Sequence, residues 1–215
     1  REVDLIAAED TRNTMKLLTH FDIRTAMTSL HEHNEQGKSA AIVRRMAEEG
    51  ISVALVTDAG TPAVSDPGAI LVREAVQAGI EILAVPGPSA AVAALSVSGF
   101  VVGQFAFYGF PSREKKALRA YLAALAGRDE AAILYESPRR TGVLLQAVLD
   151  SLGDVPLSLS CDLTKLHEKT LRGPVSAVLA DFLANDKAEK GEYVMVLDLR
   201  GTARPQEAAL AAVGL

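Results

Sequence analysis

Residues 57–68 read Thr-Asp-Ala-Gly-Thr-Pro-Ala-Val-Ser-Asp-Pro-Gly, with two glycines, two prolines and two aspartates in twelve positions. Proline fixes φ and glycine admits positive φ, so this run prescribes one unusual backbone path with amides and carbonyls turned outward. Such a loop suits a ligand held through backbone groups; the plain alternative is an elaborate structural turn. Neither GxxxxGK[ST] nor GxGxxG occurs, so ATP, GTP and dinucleotides of the Rossmann type lose support. A second tight run, residues 85–91 (Val-Pro-Gly-Pro-Ser-Ala-Ala), offers Ser89 as a helix cap and small residues that let something flat approach the helix start.

Two further runs carry charge. Ala8-Glu9-Asp10-Thr11-Arg12 sets two carboxylates beside a guanidinium, and Tyr135-Glu136-Ser137-Pro138-Arg139-Arg140 sets an acid before a helix start and two arginines. The plain reading makes Asp10 and Thr11 caps and Glu9 a solvated charge. The chemical reading gives the acids proton transfer and the arginines an anion, which would offset the unfavourable helix dipole at Arg139 and Arg140. More basic residues follow in Lys165, His167, Lys169 and Arg172, and in Arg113, Lys115, Lys116 and Arg119 on one charged helix. His20, His31, His33 and His167 lack metal-ligand spacing, so no metal is expected. There is no GxSxG elbow, and Cys161, the single cysteine, reads as an inert thiol in an apolar strand.

These residues need elements to position them. Strands are predicted at residues 3–8, 25–30, 51–56 and 80–85, alternating with helices at 11–20, 34–49, 67–78 and 89–98. Strands separated by helices of this length imply right-handed βαβ units and a mostly parallel sheet, with ligands at the carboxyl ends of the strands. The pattern then changes. Strands are predicted at 104–108, 131–135, 157–163 and 193–199, with helices at 112–125, 138–152 and 174–183. This places a boundary near residue 103, giving an α/β domain over 1–103 and a second over 104–215 with a mixed sheet. The Ala-rich end, residues 203–215, reads as a helical tail.

Composition bounds the rest. At 49% hydrophobic and 23% charged residues the chain is globular, and its apolar runs are broken before the length of a membrane span. One cysteine excludes a disulfide framework within the chain and points to a reducing compartment, the cytoplasm. A net charge of -5 disfavours a nonspecific nucleic-acid coat while allowing a local basic patch.

Together these segments resemble the ribosomal RNA small subunit methyltransferase I family. The resemblance rests on Ala-Glu-Asp-Thr-Arg at 8–12, on residues 57–62 with 65–68, and on 86–90 and 135–139. It extends through Tyr108-Gly109-Phe110, Leu163-Thr164-Lys165 with Glu168, Arg172-Gly173 and Lys190-Gly191-Glu192. It implies the tetrapyrrole-methylase fold, two α/β domains with an interdomain cofactor cleft, and a homodimer. The activity implied is 2′-O-methylation of a cytidine ribose in small-subunit ribosomal RNA, with S-adenosylmethionine as methyl donor. Thr61, Ala63, Val64, Ser89, Ala90, Tyr135 and Leu163 are the implied cofactor-lining residues, with Glu192 as an addition. The family pattern has a further strand, a Gly-Asn-Leu-Gly-Asp type loop and a helix before the strand at Val3, and this sequence starts beyond them.

Methyl transfer from a sulfonium is an in-line displacement, so positioning supplies much of the rate. A ribose hydroxyl needs its proton removed, by a carboxylate or a lysine of lowered pKa. Glu9, Asp10, Glu136 and Lys165 are the candidates, Arg12, Arg139 and Arg140 would hold phosphates, and Phe107, Tyr108 and Phe110 lead as stacking partners for a base. A precorrin-type methyltransferase would instead need a large apolar cleft. A noncatalytic ligand- or ribosome-binding module would bind without turnover.

Overall fold

Two compact units make up the computed structural model, Arg1–Ser89 and a second from Ala90 onward. The structure describes residues 1–186 and 188–202, and the expected tail at 203–215 lies outside them. The boundary read near residue 103 compares with a division at Ser89.

In the first unit β1 (Leu5–Ala8) sits between β2 (Ala26–Ser29) and β3 (Val53–Val56), and both pairings are parallel. A central strand buried on both faces must be apolar throughout, and Leu-Ile-Ala-Ala is. Helix α1 (Thr11–His20) covers one face, where Leu18 meets Ile6 and Ala8. On the other face Ala7 packs with Ile42 and Val43 of α2 (Glu35–Glu49) and with Leu71 and Ala75 of α3 (Ala69–Gln77). Gly50 stops α2 in the left-handed region at φ 66°.

One predicted strand is absent. Residues 80–85 are apolar apart from Glu81 but form no strand, and Leu83 and Val85 are exposed. A strand exists only where a neighbour completes its ladder, and no described strand pairs with this segment.

The second unit opens with α4 (Ala90–Ser96), followed by β4 (Phe105–Gly109), α5 (Lys115–Ala123), β5 (Ala131–Glu136) and α6 (Pro138–Leu152). It continues through β6 (Pro156–Cys161), β7 (Lys169–Pro174), α7 (Val175–Leu183) and β8 (Tyr193–Asp198). The sheet order is β4-β5-β8-β6-β7, parallel only between β4 and β5, hence mixed as expected. Helices α5, α6 and α7 bury one face through Leu118, Leu144, Leu145, Val178 and Phe182, and α4 covers the other through Ala91 and Ala94. Strand β7 was not predicted. It is an edge strand carrying Lys169, Arg172 and a terminal Pro174, the composition that blunts sheet edges and hides the strand signal.

Candidate functional site

The first unit brings its motifs together at the carboxyl ends of β1 and β3. Glu9 follows β1 and accepts hydrogen bonds from the Thr57 hydroxyl and from the Asp58 amide at 3.1 Å. Asp58 in turn accepts from Asn13 Nδ2 at 2.8 Å. Asp66, from the far side of the loop, comes near the same pair; partial burial first, then the negative charge of Glu9, raise its pKa above the usual carboxylate value. Asp66 was missed as a candidate because its sequence neighbourhood reads only as turn chemistry.

The loop is held from both ends. Thr61 Oγ1 donates to the Pro88 carbonyl at 3.0 Å, tying the two ligand-type loops to each other. Glu35, only 7% exposed, accepts from the Gly68 and Ile70 amides at 2.9 and 2.7 Å. A buried carboxylate on the first amides of α3 satisfies donors the helix leaves open and complements its dipole. Between these anchors Ala63 and Ser65 take φ of 68° and 62°, unfavourable for residues with a Cβ. Among the expected cofactor-lining positions, Thr61, Ala63, Val64 and Ser89 all fall on these two loops.

Asp10 and Arg12 take the plain reading. Asp10 caps α1 by accepting from the Arg12 amide at 2.8 Å, and the Arg12 guanidinium binds the same carboxylate at 2.8 Å. That guanidinium and the capping amide hold the Asp10 pKa down to about 2, which makes it a weak base.

In the second unit Ala90, Tyr135 and Leu163 join one apolar cluster with Phe107. The Phe107 and Phe110 rings meet Tyr135 edge-on, with centroids 4.7 and 5.5 Å away. The register shift between Phe107 and Gly109, with Gly109 at φ 64°, brings Phe110 to the same ring as Phe107. Tyr108 turns the other way, onto Tyr121, with Arg128 over its ring, so it is not part of this stacking trio.

Three charged candidates here are committed to neighbours. Glu136 is buried and accepts from Ser137 and from Arg140 Nε at 3.1 Å, while Arg140 Nη2 donates to the Ser112 carbonyl at 3.2 Å. Both lock the start of α6 onto the segment before α5. Lys165 lies 2.8 Å from Glu192 and 3.4 Å from Asp162, and the bond to Glu192 above all raises its pKa, the reverse of what a lysine base requires. Arg139 is exposed and has no partner among the described residues, so its guanidinium is available to an anion. Thr164, at φ 66°, and Asp162, at φ 51°, strain this second loop as Ala63 and Ser65 strain the first. Among the described residues no group of His, Cys, Asp and Glu side chains could hold a metal, and no helix is long and apolar enough to cross a membrane.

Comparison with known proteins gives concordant matches. The profile of the tetrapyrrole (corrin/porphyrin) methylases matches residues 1–179. A ribosomal RNA small subunit methyltransferase I from Vibrio cholerae is 42% identical over 196 residues, which is 91% of this chain and 68% of that relative. The protein of the same name from Thermotoga maritima is 41% identical over 92% of this chain and 87% of its own length. The crystal structure of a cobalt precorrin-4 methyltransferase shares the fold, with a TM-score of 0.63 at 18% identity over 91% of this chain and 84% of that one.

Proposed function

The chain belongs to the tetrapyrrole (corrin/porphyrin) methylase family and within it to the ribosomal RNA small subunit methyltransferase I group, and on that premise we propose that it methylates small-subunit ribosomal RNA at the ribose 2′-oxygen of a cytidine. The observation that carries the chemistry is the Glu9–Thr57 bond at the strand ends, with Asp66 near enough for the charge of Glu9 to help raise its pKa.

S-adenosylmethionine, when bound, would supply a methyl group on a positively charged sulfur. The residues fit such a group: small side chains and hydroxyls at Thr61, Ala63 and Ser89 leave room for backbone contacts, and Ala90, Tyr135 and Leu163 supply apolar surface for a flat ring. With Val64 they are the residues assigned to hold it. The carboxylates of the first unit also suit a neighbouring sulfonium charge.

The protein's own task is to hold the ribose hydroxyl and take its proton. The ribose hydroxyl would give up its proton to Asp66, with Glu9 next to it, as its oxygen takes the methyl group that the donor would supply. Of the four bases named from sequence, Glu9 is the one left on this path; Asp10, Glu136 and Lys165 serve the cap, the α6 junction and the Glu192 pair. Arg139 is assigned to a phosphate, and Phe110, 59% exposed, to an unstacked base. The same reading includes a homodimer, which sedimentation at micromolar concentration checks; a monomer removes that part.

Nucleoside specificity is tested on small ribosomal subunits that lack the modification, incubated with methyl-tritiated S-adenosylmethionine. Label in an alkali-resistant dinucleotide beginning with cytidine supports the reading. Label that alkali releases as mononucleotide, or label only in an added precorrin, overturns it.

A further inference from the structure

The second unit contains a cavity of about 380 Å³ that the proposed reaction does not use. Its walls are Leu159, Leu171 and Phe182, with Cys161 and Tyr193 beside them. These residues pack with the core under α5, α6 and α7, whereas Tyr135 and Leu163 belong to the cluster under α4. Within this unit the cavity therefore lies on the opposite face of the sheet from Tyr135 and Leu163.

Its remaining lining is polar, formed by Asp162, His167, Lys169, Asn185 and Lys190. Lys169, Lys190 and His167 reach it from the surface, and none of the three has a hydrogen-bond or ion-pair partner among the described residues. Asp162 also lines it, but its Oδ1 already faces Lys165 Nζ at 3.4 Å and the Glu192 amide at 3.3 Å. Two unpaired ammonium groups beside an apolar cavity, in a chain of net charge -5, concentrate positive potential there.

The lysines are held in place from below. Lys169 begins β7, and its backbone is paired to Cys161 in the ladder. Lys190 precedes Gly191, whose φ is +94°; a Cβ there would fall 2.7 Å from Asp162 Oδ2 and 2.9 Å from Cys161 Sγ. The Asp162 amide donates to the Glu192 carbonyl at 3.0 Å, so the turn at 190–192 is clamped to the end of β6. This gives the Lys-Gly-Glu run a structural reason that its sequence alone does not.

An inorganic anion would leave the apolar walls wet, and a hydrocarbon would leave the ammonium groups without a counter-charge. A ligand with a flat apolar body and an anionic end satisfies both. Phe182 and Tyr193, edge-to-face at 5.5 Å, supply an aromatic wall, and the Cys161 thiol and Tyr193 hydroxyl supply polar edges. The volume is at the small end of ligand pockets, enough for one nucleotide and too little for a tetrapyrrole.

We infer that this cavity binds a single nucleotide, with its base against Phe182 and Tyr193 and its phosphate on Lys169 and Lys190. The nucleotide comes either free from solution or as one unit of an RNA strand, and the inference does not depend on the methyl-transfer reading.

Cys161 is the only cysteine of the chain, so its alkylation by iodoacetamide reads the cavity directly. Burial raises its pKa, so the labelling is run at alkaline pH and followed by mass spectrometry on the full chain. Cytidine or adenosine monophosphate at millimolar concentration, or a short single-stranded RNA, is expected to slow labelling by about threefold or more. The Lys169→Gln/Lys190→Gln variant, changed only at exposed side chains, is expected to lose that protection while its unliganded labelling rate and circular dichroism stay unchanged. Protection by the monophosphates assigns the free nucleotide, and protection by RNA alone assigns a nucleotide of the strand. No protection by either, or equal protection by inorganic phosphate or by S-adenosylmethionine, overturns the inference.

Discussion

At the scale of single residues, activity turns on which carboxylate can take a proton. Asp66 is pushed up by burial and by Glu9, so it binds a proton more readily than an ordinary aspartate and loses it at higher pH. The active form is the deprotonated one, so the rate should rise with pH through the Asp66 pKa and then level. Glu9→Gln removes a negative neighbour and should move that rise to lower pH, as a pH–rate profile would show. Asp66→Asn should lower kcat by about 100-fold or more while leaving cofactor binding within a few-fold. A variant retaining full kcat would exclude Asp66 as the base. Sequence pointed to Glu9 because it stands at a strand end, and it equally pointed to Asp10, Glu136 and Lys165. What separates them is which neighbour each side chain meets, and for Asp66 and for the Glu192–Lys165 pair that neighbour lies far along the chain.

Elements carry the positioning. The loop at 57–68 ends on Gly68, whose φ is 123° and whose Cβ, if present, would collide with Leu55. Gly68→Ala should therefore cost about 2 kcal/mol and displace the loop, which thermal unfolding together with cofactor titration would register. At the start of α6, the buried Glu136 side chain is 5% exposed and pairs with Arg140. Glu136→Ala takes away the carboxylate that faces the Arg140 guanidinium, leaving it the Ser112 carbonyl alone, and should cost about 3 kcal/mol. Unchanged stability in either variant would contradict the positioning roles. Helices were the legible part: α1 and α6 run over the residues read from sequence, because caps and the proline at the first turn of α6 mark their ends. The two strand errors share one physical cause. A strand is specified by what pairs with it, so residues 80–85 look like one without a partner, while β7 has β6 as partner and a charged, proline-ended sequence.

The whole molecule sets the terms on which RNA can bind. With a net charge of -5 the surface as a whole repels a polyanion, so binding must rest on a few local cations such as Arg139. The logarithm of the RNA association constant should then fall with the logarithm of salt at a slope of about -0.7 per phosphate contacted, small beside that of a nonspecific coat. Arg139→Glu should weaken binding at low salt and flatten that slope; an unchanged slope would remove Arg139 from the contact. The family and its fold were legible from the motifs because the runs at 8–12, 57–68 and 135–139 stand at the ends of β1, β3 and β5, and loops fixed by glycine and proline keep their sequence signature. The cavity under α7 was not legible, because its walls come from β6, β7, β8 and α7 and no single run of sequence carries it. The decisive measurement is transfer of tritium from methyl-labelled S-adenosylmethionine to unmodified small ribosomal subunits, with the native chain and Asp66→Asn side by side. Label is expected in the RNA with the native chain, and about 100-fold slower transfer with the variant. Cofactor bound by both without label in the RNA, or equal transfer by both, would contradict the proposed reaction.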